Sequence, residues 1–172
     1  MSGLAMTMKV SGVKELATLS NLTGLDLGST PVTDAGIKEL ASLKNLLLLN
    51  LDNTSVSDAG IKELTVLTNL TQLHLDNTKV TDAGMKHVAA FKNLNNLNLF
   101  KTQISNAGVK ELAGLTSLTQ ITLYGPGITD ASVKDLAALK NLNRLFLFKT
   151  SITAEGVKEL QKALPKCSIL NR

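Results

Sequence analysis

The chain repeats itself every 24 residues, six times in succession. The copies begin at Leu22, Leu46, Leu70, Leu94, Leu118 and Leu142, each with the frame Leu-x-x-Leu-x-Leu. That frame reads Leu22, Leu25, Leu27 in the first copy and Leu142, Leu145, Leu147 in the last; Ile121 alone departs from Leu in these slots. A Thr follows at the ninth slot in five copies (Thr30, Thr54, Thr78, Thr102, Thr150) and an aliphatic at the eleventh in all six. A period of this length cannot wrap one central core. Each copy buries its apolar side only on its neighbours, so about three or more copies are needed before the array holds.

Two periodicities alternate within a copy. In Gln72-Leu73-His74-Leu75-Asp76 the fourth and sixth slots are apolar and their neighbours polar, the alternation of a strand. Farther on, Ile37, Leu40 and Leu43 recur at three-residue steps with Lys38 and Glu39 between them, one apolar stripe on a short helix. Thr or Ser at the twelfth slot (Thr33, Ser57, Thr81, Ser105, Thr129, Thr153) is a natural N-cap. Asp34, Asp58, Asp82 and Asp130 follow it, where a helix dipole favours negative charge. Asn21, Asn45, Asn69, Asn93 and Asn141 close the helical stretches, and Asn tolerates a left-handed cap. The ninth-slot Thr is expected to satisfy backbone groups of the adjacent turn. Strand, crossover helix and parallel strand form a right-handed unit. The expectation is therefore an α/β solenoid with a concave parallel sheet and convex helices. Strands are predicted near 24–28, 48–52, 72–76, 96–100, 120–124 and 144–148, and helices near 36–44 and every 24 residues thereafter.

The Leu frame joined to Thr33-Asp34-Ala35-Gly36-Ile37-Lys38-Glu39-Leu40 resembles the leucine-rich repeats of the ribonuclease-inhibitor-like class. It is most similar to those of F-box-type and bacterial repeat proteins. The resemblance covers about residues 10–170 and implies a non-catalytic module that binds another protein on its concave sheet; fold alone names no partner. A single domain over 1–172 is expected. Residues 1–21 supply a partial N-terminal repeat with Val13, Leu16 and Leu19 on a helix, and 164–172 start one more turn. Such ends suggest a segment of a longer array.

The sheet face is where the copies stop agreeing, so it is where partner choice can reside. The seventh slot reads Gly28, Asp52, Asp76, Phe100, Tyr124, Phe148, and the eighth Ser29, Asn53, Asn77, Lys101, Gly125, Lys149. His74 and Phe146 occupy the fifth slot and Arg144 the third. Phe100, Tyr124, Phe146 and Phe148 thus gather beside Lys101, Arg144 and Lys149 in the last three copies, the composition of interface hot spots. Stacked aromatics that only cover the sheet are the alternative. Asp26, Asp52 and Asp76, with His74 near, make the other half acidic. Two carboxylates about 4.8 Å apart could share a cation, but a metal site wants three or more convergent ligands, so a solvated acidic patch is expected. Leu47 and Leu48 also face outward.

Other function classes find little support. The helix-borne series Lys14, Lys38, Lys62, Lys86, Lys110, Lys134, Lys158 accounts for much of the net charge of +4. The next residue is acidic except at His87, which suits a solvated face better than nucleic acid. Gly36, Gly60, Gly84, Gly108 and Gly156 form no phosphate loop; they are expected to let helix starts approach closely. Two His and one Cys offer no nucleophile–base pairing and no cofactor site. No apolar run approaches the roughly 20 residues of a membrane span, and residues 1–10 lack the pattern of a secretory signal. With Cys167 as the lone cysteine no intrachain disulfide can form, which leans toward a reducing, cytoplasmic setting. An architectural spacer, or a saccharide-binding adhesin segment of a longer repeat protein, is the alternative to a protein-binding module.

Overall fold

The computed structural model describes Leu16 and residues 18–172. Val13 and Lys14, and with them most of the partial first repeat, lie outside the described residues. Leu16 is buried, whereas Leu19 stays 41% exposed.

Among the described residues, seven strands form one all-parallel sheet in chain order. They are β1 (Gly24–Asp26), β2 (Leu48–Asn50), β3 (Gln72–His74), β4 (Asn96–Asn98), β5 (Gln120–Tyr124), β6 (Arg144–Phe148) and β7 (Ser168–Asn171). Six helices return the chain between them: α1 (Asp34–Glu39), α2 (Asp58–Leu64), α3 (Asp82–Val88), α4 (Asn106–Leu112), α5 (Val133–Ala137) and α6 (Ala154–Ala163). Single 3-10 turns extend α1 (Leu40–Ser42) and precede α5 (Asp130–Ser132). The register matches the sequence period, with Leu25 beside Leu49, Leu49 beside Leu73 and Leu73 beside Leu97. Each slot therefore stacks on its own kind. Strand neighbours lie about 4.8 Å apart, while packed helices prefer 8–10 Å. The array must bend with the sheet on the inside.

The core is a set of aliphatic rows between sheet and helices. Leu46, Leu49, Leu51, Ile61, Leu64 and Leu67 are all fully buried within one copy, each contributing about 1.5–3 kcal/mol relative to exposure. The third copy makes an internal exchange: Phe91 replaces the Leu of that row, and Val88 replaces the Leu three residues earlier. Both are fully buried.

Several expectations need correction. Helices α1 to α4 begin two residues earlier than predicted, directly after the twelfth-slot cap, and end at slot eighteen or nineteen rather than running to the slot of 44, because the chain must turn to reach the next strand. Helix α5 starts at Val133 behind its 3-10 turn, and α6 runs to Ala163, one residue short of the expected end. The first strands are assigned shorter than expected, yet ladder bonding continues: the Leu27 N–H donates to Asn50 O at 2.9 Å and Ser29 N–H to Asp52 O at 2.7 Å. Thr33 makes no side-chain cap bond, whereas Ser57, Thr81, Ser105, Thr129 and Thr153 do. The helix-end Asn residues are not in the left-handed region. That conformation falls at slot eight, in Ser29, Asn53, Asn77, Lys101 and Lys149 (φ 51 to 56°) and in Gly125. Instead the Asn45, Asn69, Asn93 and Asn141 amides donate to carbonyls one copy back (Ser20, Lys44, Thr68 and Thr116) at 2.8–3.0 Å. The ninth-slot hydroxyls of Thr30, Thr54, Thr78 and Thr102 bond within their own turn, each donating to the carbonyl three residues earlier.

The Asp that follows the cap does more than meet a dipole. Asp34 Oδ1 accepts the Ser57 N–H at 2.8 Å and Oδ2 accepts its hydroxyl at 2.6 Å. Asp58 does the same to Thr81, Asp82 to Ser105 and Asp130 to Thr153. The carboxylate clamps the next cap, and hydrogen bonds to a charged group contribute about 1.5–3 kcal/mol. The slot-fifteen glycines leave room for it: a Cβ on Gly60 would stand 2.5 Å from Asp34 Oδ1, and one on Gly108 the same from Asp82 Oδ1.

Candidate functional site

The sheet face opposite the helices carries slots three, five and seven. On β5 and β6, Ile121, Leu123, Leu145 and Leu147 turn inward and are buried; Thr122, Tyr124, Phe146 and Phe148 alternate with them and are half-buried. Tyr124 pairs in register with Phe148. Phe100 lies just beyond β4, its N–H donating to Asn98 Oδ1 at 3.1 Å.

The expected aromatic row is in place, but it is a cluster. The Phe100 ring meets Tyr124 edge-on at 4.9 Å between centroids (67°) and Phe148 edge-on at 5.3 Å (89°). Phe146 lies parallel to Phe148 at 6.2 Å. These are the preferred geometries of aromatic pairs, and mutual cover explains why none of the four rings is fully exposed. Lys101 folds back over Phe100, its Nζ 5.3 Å from the ring centroid, within cation–π range. Lys101 and Lys149 are exposed on left-handed backbone at the loop edge. Arg144 is exposed at the opposite end of β6 from Phe148.

The acidic half also gathers. The Asp76 N–H donates to Asp52 Oδ1 at 2.6 Å, and His74 Nδ1 lies 3.9 Å from Asp52 Oδ2. Burial pushes the Asp52 carboxyl above the usual range; the Asp76 N–H and His74 oppose this, and the charges of Asp76 and Asp26 add to it. Asp76 is pushed up by burial, opposed by Lys101, whose charge thus reaches across from the aromatic half. His74 Nε2 and Asp76 Oδ1 are shielded from solvent without a hydrogen-bond partner. Among the described residues no group of three or more His, Cys, Asp or Glu is arranged to hold a metal ion.

Sequence reasoning missed Asn50 and Asn98. Both sit at slot five and accept the slot-seven N–H, of Asp52 and Phe100 respectively. Their recurrence at one slot was the available signal. Elsewhere, a recess of about 580 Å³ between helix-to-strand loops is lined by residues that include Thr119, Lys140, Asn143 and Lys166. None of the sheet-face residues named above lines it. Cys167 is buried, which pushes its thiol up and away from the reactive thiolate. Lys38, Lys62, Lys86, Lys110, Lys134 and Lys158 are exposed along the helices. No described helix is long and apolar enough to cross a membrane.

A family profile described as a leucine-rich repeat matches residues 18–41, 66–89 and 92–113. Among solved structures, an internalin C2 of Listeria monocytogenes is similar at 26% identity and a TM-score of 0.72, over 97% of this chain and 66% of that one. A leucine-rich repeat protein of Leptospira interrogans is similar at 28% identity and 0.69, over 90% and 38%. A second Listeria monocytogenes internalin is similar at 25% identity and 0.68, over 93% and 50%. The chain spans less than two thirds of the length of each of these structures. No curated protein matches the sequence. The unit that the family profile finds in three places is the unit from which sheet and helices are built, and the chain folds as a leucine-rich repeat solenoid.

Proposed function

We propose that this chain is a non-catalytic interaction module that binds another protein on its concave sheet face, with Phe100, Tyr124, Phe146 and Phe148 as the anchor. The supporting observation is the cluster itself: four half-buried aromatics across three adjacent strands, edged by Lys101, Lys149 and Arg144. Folding alone gives no reason to place apolar rings on the solvent side of a sheet whose other side already holds the core. An apolar patch rimmed by charge is characteristic of binding surfaces. His74, Asp52 and Asp76 extend the surface toward the first copies. Nucleic acid is not the expected partner, because the recurring lysine series Lys38, Lys62, Lys86, Lys110, Lys134 and Lys158 lies on the opposite, helical side and is followed by an acidic residue at every copy but Lys86.

The edge-to-face packing also favours a second reading, in which the rings brace the last repeats of an architectural spacer. The double change Tyr124→Ala and Phe148→Ala separates the two. Burying one Phe contributes about 1.5–3 kcal/mol, and part of that is already gained in the free protein. Binding of a captured partner should therefore weaken about ten- to hundredfold while the melt stays cooperative. Partners that all bind the variant with unchanged affinity would exclude the patch as the site. Loss of the fold would make the rings structural. Saccharide-array binding by the native chain that the variant loses would favour the adhesin alternative.

A further inference from the structure

The concave face is polar along its length. Asp26, Asp52 and Asp76 occupy the first three copies; the aromatic cluster with Lys101 and Lys149 occupies the last three. Asp52, Asp76, Phe100, Tyr124 and Phe148 share slot seven, so the register puts them in a line across the strands, with Asp26 two residues earlier at slot five. Among the described residues the one close ion contact on this face is His74 to Asp52; neither Asp26 nor Asp76 has a Lys or Arg within ion-pair distance, and Lys101 acts on Asp76 only from farther away. The two ends differ in sign, and only one offers aromatic contact; the acidic end has the partly exposed Leu47 and Leu48 at its edge.

The size of the strip selects the occupant. Seven strands about 4.8 Å apart span about 29 Å, and strands of three to five residues are about 10–17 Å deep. The product is about 300–500 Å², well below the roughly 800 Å² per partner of a standard interface. A second copy laid face to face would bring two concave surfaces together and touch mainly at their rims. An extended segment at about 3.3 Å per residue covers the roughly 24 Å from β1 to β6 with about seven residues.

Resting on the concave-face reading above, we infer that the partner presents an extended segment lying across the strands in one fixed direction. Its apolar residue, flanked by Asp or Glu, sits over the Phe100, Tyr124 and Phe148 cluster. Its Lys or Arg, three to six residues away, sits over Asp52 and Asp76. Opposite charge at the two ends sets direction and register, and wrong alignments put like charges together.

The test is selection of a phage-displayed library of random 12-residue peptides on the immobilised full chain, followed by anisotropy titration of the winning synthetic peptides. Winners should carry an apolar residue beside Asp or Glu at one end and Lys or Arg at the other. Asp52→Asn with Asp76→Asn keeps the local hydrogen-bonding capacity and removes the charge. It should weaken these peptides about three- to tenfold at low salt, as expected for two ion pairs that stay partly solvated at the sheet surface, and abolish the preference for Lys or Arg. Tyr124→Ala with Phe148→Ala should weaken them about ten- to hundredfold. Peptides that need the aromatic pair but ignore the Asp pair overturn the two-ended segment and leave the aromatic site standing. Peptides that need neither pair overturn both. No enrichment at all, or a dimer in solution that either double variant dissociates, overturns the extended segment.

Discussion

The Ser132 hydroxyl donates to Asn106 Oδ1 at 2.5 Å, at the one junction where the Asp clamp and its facing glycine are both replaced. Elsewhere an Asp faces a Gly: Asp34 faces Gly60, Asp58 faces Gly84, Asp82 faces Gly108 and Asp130 faces Gly156. At the fifth copy Asn106 Oδ1 still accepts the Thr129 N–H at 2.9 Å, and its Nδ2 donates to the Thr129 hydroxyl, reversing the bond that a carboxylate would accept. The two changes are halves of one alternative solution to the same contact.

That coupling predicts a double-mutant cycle. Gly108→Ser alone places new atoms against Asp82 and should destabilise by about 1–3 kcal/mol, the range for overpacking a close contact. Asp82→Asn alone should lose part of the charge-assisted clamp on Ser105, about 1 kcal/mol. The pair together should recover at least about 0.5 kcal/mol relative to the sum, since contacting residues couple. Denaturant melts of the four proteins decide it; simple additivity removes the coupling.

Slots were legible in the sequence because each apolar row has one job in every copy. Strand order, cap positions and the outward aromatics all followed from that. Contacts between copies were harder, because bonding distance runs 23 to 25 residues away. Asp34 to Ser57 and Asn69 to Lys44 need the register as well as the pattern. The sequence held one clue, Asn106 changing together with Ser132. Slot eight held another: Asn53, Asn77 and Gly125 are the types that tolerate left-handed backbone, yet the slot reads first as surface. The cover that Phe100, Tyr124 and Phe148 give one another depends on side-chain directions, which no spacing encodes.

The two Asn series should separate under substitution by Gly. If Asn69 served a left-handed cap, Gly would replace it well. It serves instead as donor to Lys44 O, so Asn69→Gly should cost about 1 kcal/mol. Lys149 holds φ at 52°, a region that costs non-glycine residues about 1–2 kcal/mol. Lys149→Gly should therefore be neutral or slightly stabilising. Matching thermal shifts for the two variants would contradict this assignment.

The raised carboxyls fix a pH dependence of stability. Asp52 and Asp76 hold protons more tightly folded than unfolded. By linkage the folded state then binds more protons in the window just above the ordinary Asp pKa of about 3.9, and these two groups lower stability as pH rises through it. Asp76→Asn removes the charge and its desolvation. Its melting temperature at pH 7 should exceed that of the native chain. The gain should shrink as pH falls to about 3. A variant that melts lower at pH 7, or gains more in acid, reverses the sign and refutes the argument.

Nearest-neighbour stacking makes a whole copy removable where half a copy is not. Deleting Leu70 to Asn93 takes out Phe91 and Val88 together, so their exchange of volume leaves with them. The new junction sets Leu49 beside Leu97, Asp58 against the Ser105 cap and Gly108 in the place of Gly84, each the same pair of roles as before. One contact does not heal: Asn93 donates to Thr68 O, and Ser117 is its counterpart in the following copy. The shortened chain should lose that bond, about 1 kcal/mol, and one repeat's share of stacking, yet melt in a single cooperative step. Deleting residues 82–93 alone removes α3 and leaves β3 and its Thr81 cap leading straight into the next strand. The helix row is then broken while the strand row is not, and Leu73 and Leu75 lose the cover that buries them. That variant should show a broad, early transition by circular dichroism, starting at the junction. Equal melts for the two deletions would mean that stability is not carried between neighbouring copies.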